Sequence, residues 1–537
     1  MSGPAPMFDS DHRSHVREPA VVVMTLAVAA CSIIYELVFS QALTVVFGHT
    51  VTRYALTIGL YLFSLGLGAF LYARTGLKQA APVFLLVEAV LSLLGPAGLV
   101  FILLFGSSSA LGGSMRLVLC HAPVIAVGVL SGLELPLLAE LSRDRQRSFY
   151  RVLGWDYLGS LLGTVGYALW LYPRHGLVVT VLATGFINAG VAAMFSVTRW
   201  RGRLVSRVLA GAAVAIYGFA LLSAERIADR VEETYLRADI VSRYQTVGVP
   251  IRRVDVLDRF RTRYQRVVHF RMFREHGRVD ECLELDGQQQ VCNFGSEAYH
   301  HGLIDVPMLF FPEGKPLRVL LLGGGDYIPV RYLSVYEDIE RIVQIDIDPE
   351  FLAYARRDPF LLGFNRGAFD EPRLQTIVDD AFHHVRTTSE RYDLIVLDLP
   401  GLTRDKLLPL YSKEFFAAVR SRLLPGGLAV TWRYDPARWP RHRGIFERTL
   451  YEAGFRQQVA FSSINQDRFG FYQQDYYMLL GVGDSSPPQT RSGQGEYMKT
   501  WRDIYLRARW RPLPPHDGFR ANRVLRPNFS MLIERGL

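Results

Sequence analysis

The sequence predicts two dissimilar halves: an α-helical membrane bundle of about seven transmembrane helices, followed by a Rossmann-like α/β sheet with a small N-terminal β-subdomain. Two observations carry this prediction. Residues 19–224 form a series of apolar stretches roughly 17 to 28 residues long, each enough or nearly enough to cross a ~30 Å hydrocarbon core. After residue 225 the chain becomes charged, alternating and turn-punctuated, with apolar runs separated by helical patterns. A hydrophobic share of 50% over 537 residues and a mean hydropathy of +0.13 are too apolar for one compact soluble domain.

Seven stretches are expected to span, near 20–47, 54–73, 81–105, 115–141, 153–172, 177–198 and 206–224. The first includes Val28-Ala29-Ala30-Cys31, similar to a lipoprotein cleavage signal, but apolarity continues to Phe47 and an uncleaved helix is expected. Basic residues gather in alternate loops: Arg74 and Lys78; Arg143, Arg145, Arg147 and Arg151; Arg199, Arg201, Arg203 and Arg207. By the positive-inside rule these loops and the N-terminus are cytoplasmic, and seven crossings put everything after residue 225 outside, whereas six or eight crossings, or a seventh segment that does not span, put it inside. The net charge of +9, from 60 Lys+Arg against 51 Asp+Glu, is thereby largely explained without nucleic acid, for which no stacking-aromatic motif appears. Glu36, Glu88, His121 and Glu134 lie inside apolar segments and Asp156 near a segment end, depths at which ionisable groups need partners or water. Gly132 and Glu134-Leu-Pro136 predict a broken helix there.

In the second half, residues 264–270 and 281–292 read as strands, the latter a hairpin turning on Asp286-Gly287. From 317 the runs LRVLLL, RIVQID, LQTIV, YDLIVLD and GLAVTW are continuous and apolar, as in a parallel sheet covered on both faces. The expected divisions are a tail at 1–18, the membrane domain at 19–224 and a linker with the β-subdomain at 225–315. A nucleoside-binding domain at 316–483 and a linker with a basic tail at 484–537 complete the chain.

The chemistry is expected at the carboxyl edge of that sheet. The first strand feeds Gly323-Gly324-Gly325-Asp326, glycines that permit a tight turn and close approach to a ligand. Twenty residues beyond Asp326, Asp346 ends the second strand, where a carboxylate accepts ribose hydroxyl hydrogens. Asp379-Asp380-Ala381 and Asp398 end the third and fourth, so successive strands deliver acids to one edge. Each aspartate alone also reads as a helix N-cap.

These residues resemble the spermidine synthase (polyamine aminopropyltransferase) family, in its bacterial form with an N-terminal multi-pass membrane domain. The resemblance covers Ile34-Tyr35-Glu36-Leu37, Thr262-Arg-Tyr264-Gln265-Arg, Leu285-Asp286-Gly287 through Gln290, Tyr299-His300, Gly323 to Asp326, Asp346 to Pro349, Asp379 to Phe382, Asp398-Leu-Pro400 and Leu410-Tyr411. It implies a bacterial inner-membrane transferase whose donor substrate is decarboxylated S-adenosylmethionine or S-adenosylmethionine, with no metal, and a homo-oligomer by analogy. Gln265 and Asp346 would hold the nucleoside, Asp380 and Ala381 the adenine edge, and Asp326 the aminopropyl amine. Gln290, His300, His301 and Tyr411, with Asp326, fall on the acceptor side, whose partner is an amine or other small molecule.

The sequence departs from the family where chemistry matters most. The family reads Asp-x-x-Asp-Pro at the end of the fourth strand, its second aspartate the base, whereas this chain has Asp398-Leu-Pro-Gly401-Leu402. Gly295-Ser296 stands in place of an Asp-Glu pair, and Tyr299-His300-His301 ends without the usual glutamate. Fewer carboxylates weaken selection for a dicationic acceptor such as putrescine. Three readings follow: a transferase with another acceptor, its catalytic group among Asp398, Asp405, His300 and Tyr299; a silent nucleoside- or polyamine-binding domain regulating the membrane half; or a membrane transporter with an accessory domain. Cys282 and Cys292 flank the hairpin. A two-residue turn pairs Cys282 with Val291, and a three-residue turn brings the cysteines opposite, so the alternatives are a disulfide in an exported domain or two small buried side chains.

Overall fold

The computed structural model describes residues 18–48, 51–75, 80–108, 111–142, 145–198, 204–246, 248–293, 296–466, 472–482 and 510–532. The expected tail before residue 18, the linker at 484–495, the loop cations Lys78, Arg143, Arg199, Arg201 and Arg203, and Gly295 lie outside the described residues. The chain forms two compact units, Met1–Pro250 with Glu534–Leu537, and Ile251–Ile533.

The first unit is helical: α1 (Glu18–Phe47), α2 (Val51–Thr75), α3 (Ala80–Gly106), α4 (Gly113–Cys120), α5 (Ala122–Leu141), α6 (Arg145–Gly166), α7 (Tyr172–Thr198), α8 (Leu204–Leu222) and α9 (Ala224–Thr246). Among the described residues, five helical stretches are long and apolar enough to cross a membrane, and a sixth is added if α8 and α9, bent by 73°, count as one. The seven expected segments all fall on these helices. Two of them share the stretch Phe149–Val197, which breaks at Gly176, where φ is 69°. Small residues let α2 and α5 touch backbone to backbone: a Cβ on Gly68 would lie 2.1 Å from the Val129 carbonyl oxygen, and one on Gly132 2.1 Å from that of Leu65.

The break expected at Glu134-Leu-Pro136 is not found. Helix α5 runs through Pro136, and the interruption falls instead at His121, between α4 and α5. A proline forfeits one hydrogen bond, but neighbouring helices hold both turns in place. Glu36, Glu88 and Glu134 are buried, and Glu88 accepts from the Asn188 amide at 2.9 Å, a bond that joins helices α3 and α7. Helix α9, expected as linker after residue 224, belongs to this unit.

The second unit opens with a four-stranded antiparallel sheet in sequence order: β1 (Ile251–Arg261), β2 (Arg266–Arg274), β3 (Val279–Leu285) and β4 (Gln288–Cys292). Strand β1, IRRVDVLDRFR, is hidden from sequence reading by its charges. Asp286 and Gly287 adopt φ of 54° and 73°, making the expected two-residue turn. The cysteine pairing nevertheless departs from the simple register. Leu285 pairs with Gln288 and Glu284 with Gln289, but Leu283 pairs with Val291, so Gln290 is a bulge. That extra residue brings Cys282 opposite Cys292, and the two form a disulfide.

After α10 (Ser296–His300) and α11 (Val306–Met308) comes the large sheet, with β5 (Leu317–Gly323), α12 (Ile328–Ser334), β6 (Ile339–Asp346), α13 (Pro349–Ala355), α14 (Pro359–Asn365), β7 (Leu374–Val378), α15 (Ala381–Thr387), β8 (Tyr392–Asp398), α16 (Lys413–Ser421), β9 (Leu423–Trp432), α17 (Pro440–Glu452), β10 (Gln457–Gln466), β11 (Tyr472–Gly481) and β12 (Arg511–Pro512). Its order is β12-β10-β11-β9-β8-β5-β6-β7, parallel from β7 to β9 and antiparallel beyond. Val319 and Leu321 enter one core, Leu320 and Leu322 the other, which is why these strands read as unbroken apolar runs. Residues 510–532, expected within a basic tail, pack onto this unit: Leu513, Met531 and Leu532 are buried, and the Asn522 amide donates to the carbonyls of Leu408 and Tyr411.

Candidate active site

Chain order reverses between β5 and β8, which sit side by side, and a crevice opens at their carboxyl ends. The crevice is a cavity of about 450 Å3. Gly323, Gly324 and Gly325 form its floor, with Gln265, Asp326, Asp346, Asp380, Ala381 and Asp398 around it, so the expected nucleoside side is gathered in one place. Gly323 has φ of 90°, and a Cβ there would stand 2.1 Å from the Asp398 carbonyl oxygen.

Each acid is held by backbone or a neighbouring strand. Asp346 accepts the Asp348 N–H at 2.9 Å. Asp348, which sequence reading passed over, is buried, caps α13, and accepts from the Thr262 hydroxyl at 2.6 Å and the Gln265 amide at 2.9 Å. Its signal in the sequence is the Asp-Pro that opens α13. Asp326 accepts the Ile328 N–H at 2.9 Å. Asp380 both lines the cavity and caps α15 through the His383 N–H at 2.8 Å. Burial pushes the carboxyls of Asp326 and Asp398 well up, and the Asp398 charge raises Asp326 further. Burial likewise pushes Asp346 up to about 7.

Asp398 accepts the Tyr299 hydroxyl at 2.7 Å. His300 is buried, and its Nδ1 lies 2.7 Å from the Ser296 carbonyl. A carbonyl only accepts, so Nδ1 carries the proton and Nε2 presents a lone pair. Burial pushes His300 down to about 4. One ligand atom from each of His300, Asp326 and Asp398 lies within 4.8 Å of the others, a spacing that a metal ion would also suit and that the sequence did not announce.

Four expected residues are not among those lining this cavity or the neighbouring one that shares Asp398: His300, buried beside Asp326 and Asp398, and three that stand elsewhere. His301 turns to the Asp305 carboxylate, which also receives the Tyr336 hydroxyl at 2.6 Å, and is not among the residues lining the cavity. Tyr411 donates to the Pro400 carbonyl at 2.9 Å and accepts from Trp432 Nε1 at 2.7 Å, propping the loop after β8 from beneath. Asp405 is likewise not among the lining residues, although both neighbours are: Arg404 pairs with Asp286, and Lys406 donates to the Tyr264 carbonyl at 2.8 Å. The loop is thereby clamped to the β3–β4 hairpin.

A second cavity of about 420 Å3 also borders Asp398, Gln288 and Gln290. Tyr299, Trp432, Arg433, Asp435 and Asp475 line it. The last four were missed, because they sit at the end of β9 and on β11, where no motif marks them. Gly401 borders this cavity, and Gln288 lies against it.

A sequence profile of the spermine/spermidine synthase domain matches residues 296–440. Polyamine aminopropyltransferase 2 of Streptomyces coelicolor is 32% identical over 439 residues, 79% of this chain and 76% of its own. The polyamine aminopropyltransferase of Mycobacterium tuberculosis is 30% identical over 459 residues, 82% of each chain. A crystal structure of spermidine synthase from Thermotoga maritima covers 47% of this chain and 83% of its own at 19% identity, with a TM-score of 0.37.

Proposed function

Because the chain belongs to the polyamine aminopropyltransferase family, we propose that it is a membrane-bound transferase taking the aminopropyl group of decarboxylated S-adenosylmethionine to an acceptor other than putrescine. The observation that carries this reading is the convergence of Asp326, Asp346, Asp380 and Asp398 with Gln265 on one cavity. Asp346, oriented by the Asp348 N–H, suits a ribose, and Gln265 is held toward it by Asp348. Asp326 suits the donor's terminal ammonium.

Transfer requires a neutral acceptor amine in line with the carbon attached to sulfur. Nitrogen attacks that carbon, the carbon–sulfur bond breaks, methylthioadenosine leaves, and the attacking nitrogen loses one proton. With Gly401 in the family's base position, Asp398 takes that proton: it borders both cavities and its raised pKa brings it closer to neutrality, where a base works best. Tyr299 orients its carboxylate, and His300, buried beside Asp326 and Asp398, stays neutral.

The test is methylthioadenosine release by the purified full chain, given decarboxylated S-adenosylmethionine and a panel of amines. Release with an amine other than putrescine supports the reading. Failure to bind methylthioadenosine or either adenosylmethionine removes it.

The helical unit is read as a bacterial inner-membrane domain, supported by its long apolar helices, and a homo-oligomer is carried over by analogy. One observation favours a silent nucleoside- or polyamine-binding domain instead. The Cys282–Cys292 disulfide fits an oxidising compartment, as do the loop charges, whereas adenosyl donors are cytoplasmic. Reporter fusions at the C-terminus decide: a cytoplasmic end favours transfer, an external end favours binding.

A further inference from the structure

The second cavity holds a cation that the transfer chemistry does not use. Arg433 follows Trp432 at the end of β9, and its backbone N–H donates to the Tyr476 carbonyl at 2.8 Å, which seats it beside β11. It lines the cavity together with Asp435 and Asp475 and the aromatic residues Trp432, Trp439 and Tyr476. The Arg433 Nε is sealed from solvent and meets no hydrogen-bond acceptor among the described residues. The carboxylates nearest in effect are Glu447 and Asp435, and both are engaged elsewhere. Glu447 Oε2 takes His516 Nε2 at 2.6 Å, and its Oε1 lies 3.4 Å from Arg443. Asp435 Oδ1 caps its own turn, accepting the N–H groups of Ala437 at 2.8 Å and Arg438 at 3.2 Å.

A guanidinium cannot shed its charge near neutral pH, so an unpaired one in a cavity wall favours any ligand that supplies an anion. Its planar fork matches a carboxylate. The same cation repels a ligand whose only charges are ammonium groups. Asp398, which lines the same cavity, keeps a place for an amine.

We propose that the acceptor is an amine that also bears a carboxylate, a diamino acid, with its carboxylate on Arg433 and its reacting amine at Asp398. This rests on the transferase reading above. The step stays balanced: the amine of the diamino acid forms the new carbon–nitrogen bond, the donor's carbon–sulfur bond breaks, methylthioadenosine departs, and one proton passes to Asp398.

The test compares 2,5-diaminopentanoate with 1,4-diaminobutane, the same diamine skeleton with and without the carboxylate, in methylthioadenosine release by the full chain in detergent. The expected kcat/KM ratio favours the diamino acid by about tenfold or more, as for a charged hydrogen bond realised in only one ligand. R433Q should abolish that preference, and R433K, which keeps the charge without the fork, should retain part of it. Methylthioadenosine affinity reports whether each variant is folded. An equal or greater rate with the diamine, a ratio unchanged in R433Q, or inertness of both amines while methylthioadenosine binds overturns this proposal alone. A chain that binds no methylthioadenosine overturns the transferase reading and this one with it.

Discussion

Gln288 closes over Gly401 through a reciprocal pair of hydrogen bonds: the Gly401 N–H donates to Oε1 at 3.0 Å, and Nε2 donates to the Gly401 carbonyl at 2.9 Å. A side-chain amide thus pairs with the backbone of the loop after β8. The hairpin that bears Gln288 and the loop after β8 are held together partly by this pair. Asp398, which ends β8 just before this loop, lines both cavities.

Introducing Gly401→Asp should restore a carboxylate at that position. The new Cβ would lie 3.4 Å from Gln288 Oε1, a contact that a small shift of the amide relieves, and Gly401 is not among the residues with positive φ. Methylthioadenosine release with 1,4-diaminobutane should rise by about tenfold or more, the lower part of the usual range for a positioned base. An unchanged rate would mean that proton removal does not limit this chain.

Replacing Asp398 with Asn removes the proposed base while keeping its shape and the Tyr299 contact. We expect kcat to fall by about 10²–10⁴ with methylthioadenosine affinity little changed. Tyr299→Phe should cost only about tenfold, since a single orienting hydrogen bond is lost. Steady-state rates set beside calorimetric binding separate the two effects.

Gly325 stands so close to Asp346 that a Cβ would come within 2.7 Å of its Oδ2 and 3.1 Å of the Phe351 ring. Gly325→Ala must therefore push the Asp346 carboxylate from its position in the cavity. Methylthioadenosine affinity should weaken roughly 100-fold, as expected for a displacement near 1 Å. Titration calorimetry on variant and wild type measures it.

Asp346 also gives a pH signature. Burial raises its folded-state pKa to about 7, above the ordinary carboxylate value, so the folded chain binds the extra proton between the two values. The cost to stability is then fully present above pH about 7 and absent below about 4. Asp346→Asn removes that cost. Its melting temperature should exceed wild type by a few degrees at pH 8, with the gap closing as pH falls toward 4, while methylthioadenosine binding is lost. Melting curves of both proteins across that range test the sign as well as the size.

Binding at the His300, Asp326 and Asp398 cluster is expected to be of an amine and not a metal, as the resemblance implied. Chelator treatment should leave methylthioadenosine release unchanged, and a loss restored by a divalent ion would assign the cluster to metal.

Much of the fold was legible because it is written in short-range patterns. The parallel strands announced themselves as apolar runs between Leu317 and Trp432, and the acids at their ends followed from the spacing of Asp326, Asp346, Asp380 and Asp398. The turn at Asp286-Gly287 was readable from two residues. What escaped was set by contacts between distant segments. Strand β1 carries so many charges that only its pairing with β2 defines it. The role of Asp348 depends on Thr262 and Gln265, more than 80 residues away. The positions of His301, Tyr411 and Asp405 beside the cavity, not in it, depend on which neighbours claim each side chain.

By itself the sequence determined the two halves, the parallel strands and the gathering of acids at their carboxyl ends, because periodicity, turn residues and motif spacing act over a few residues. Only the tertiary structure decided that a bulge at Gln290 brings Cys282 to Cys292, that α5 continues through Pro136, and that Arg433 shares a cavity with Asp398. A one-residue change of register reverses which side chains meet, and a cavity wall is assembled from strands whose order along the chain differs from their order in the sheet.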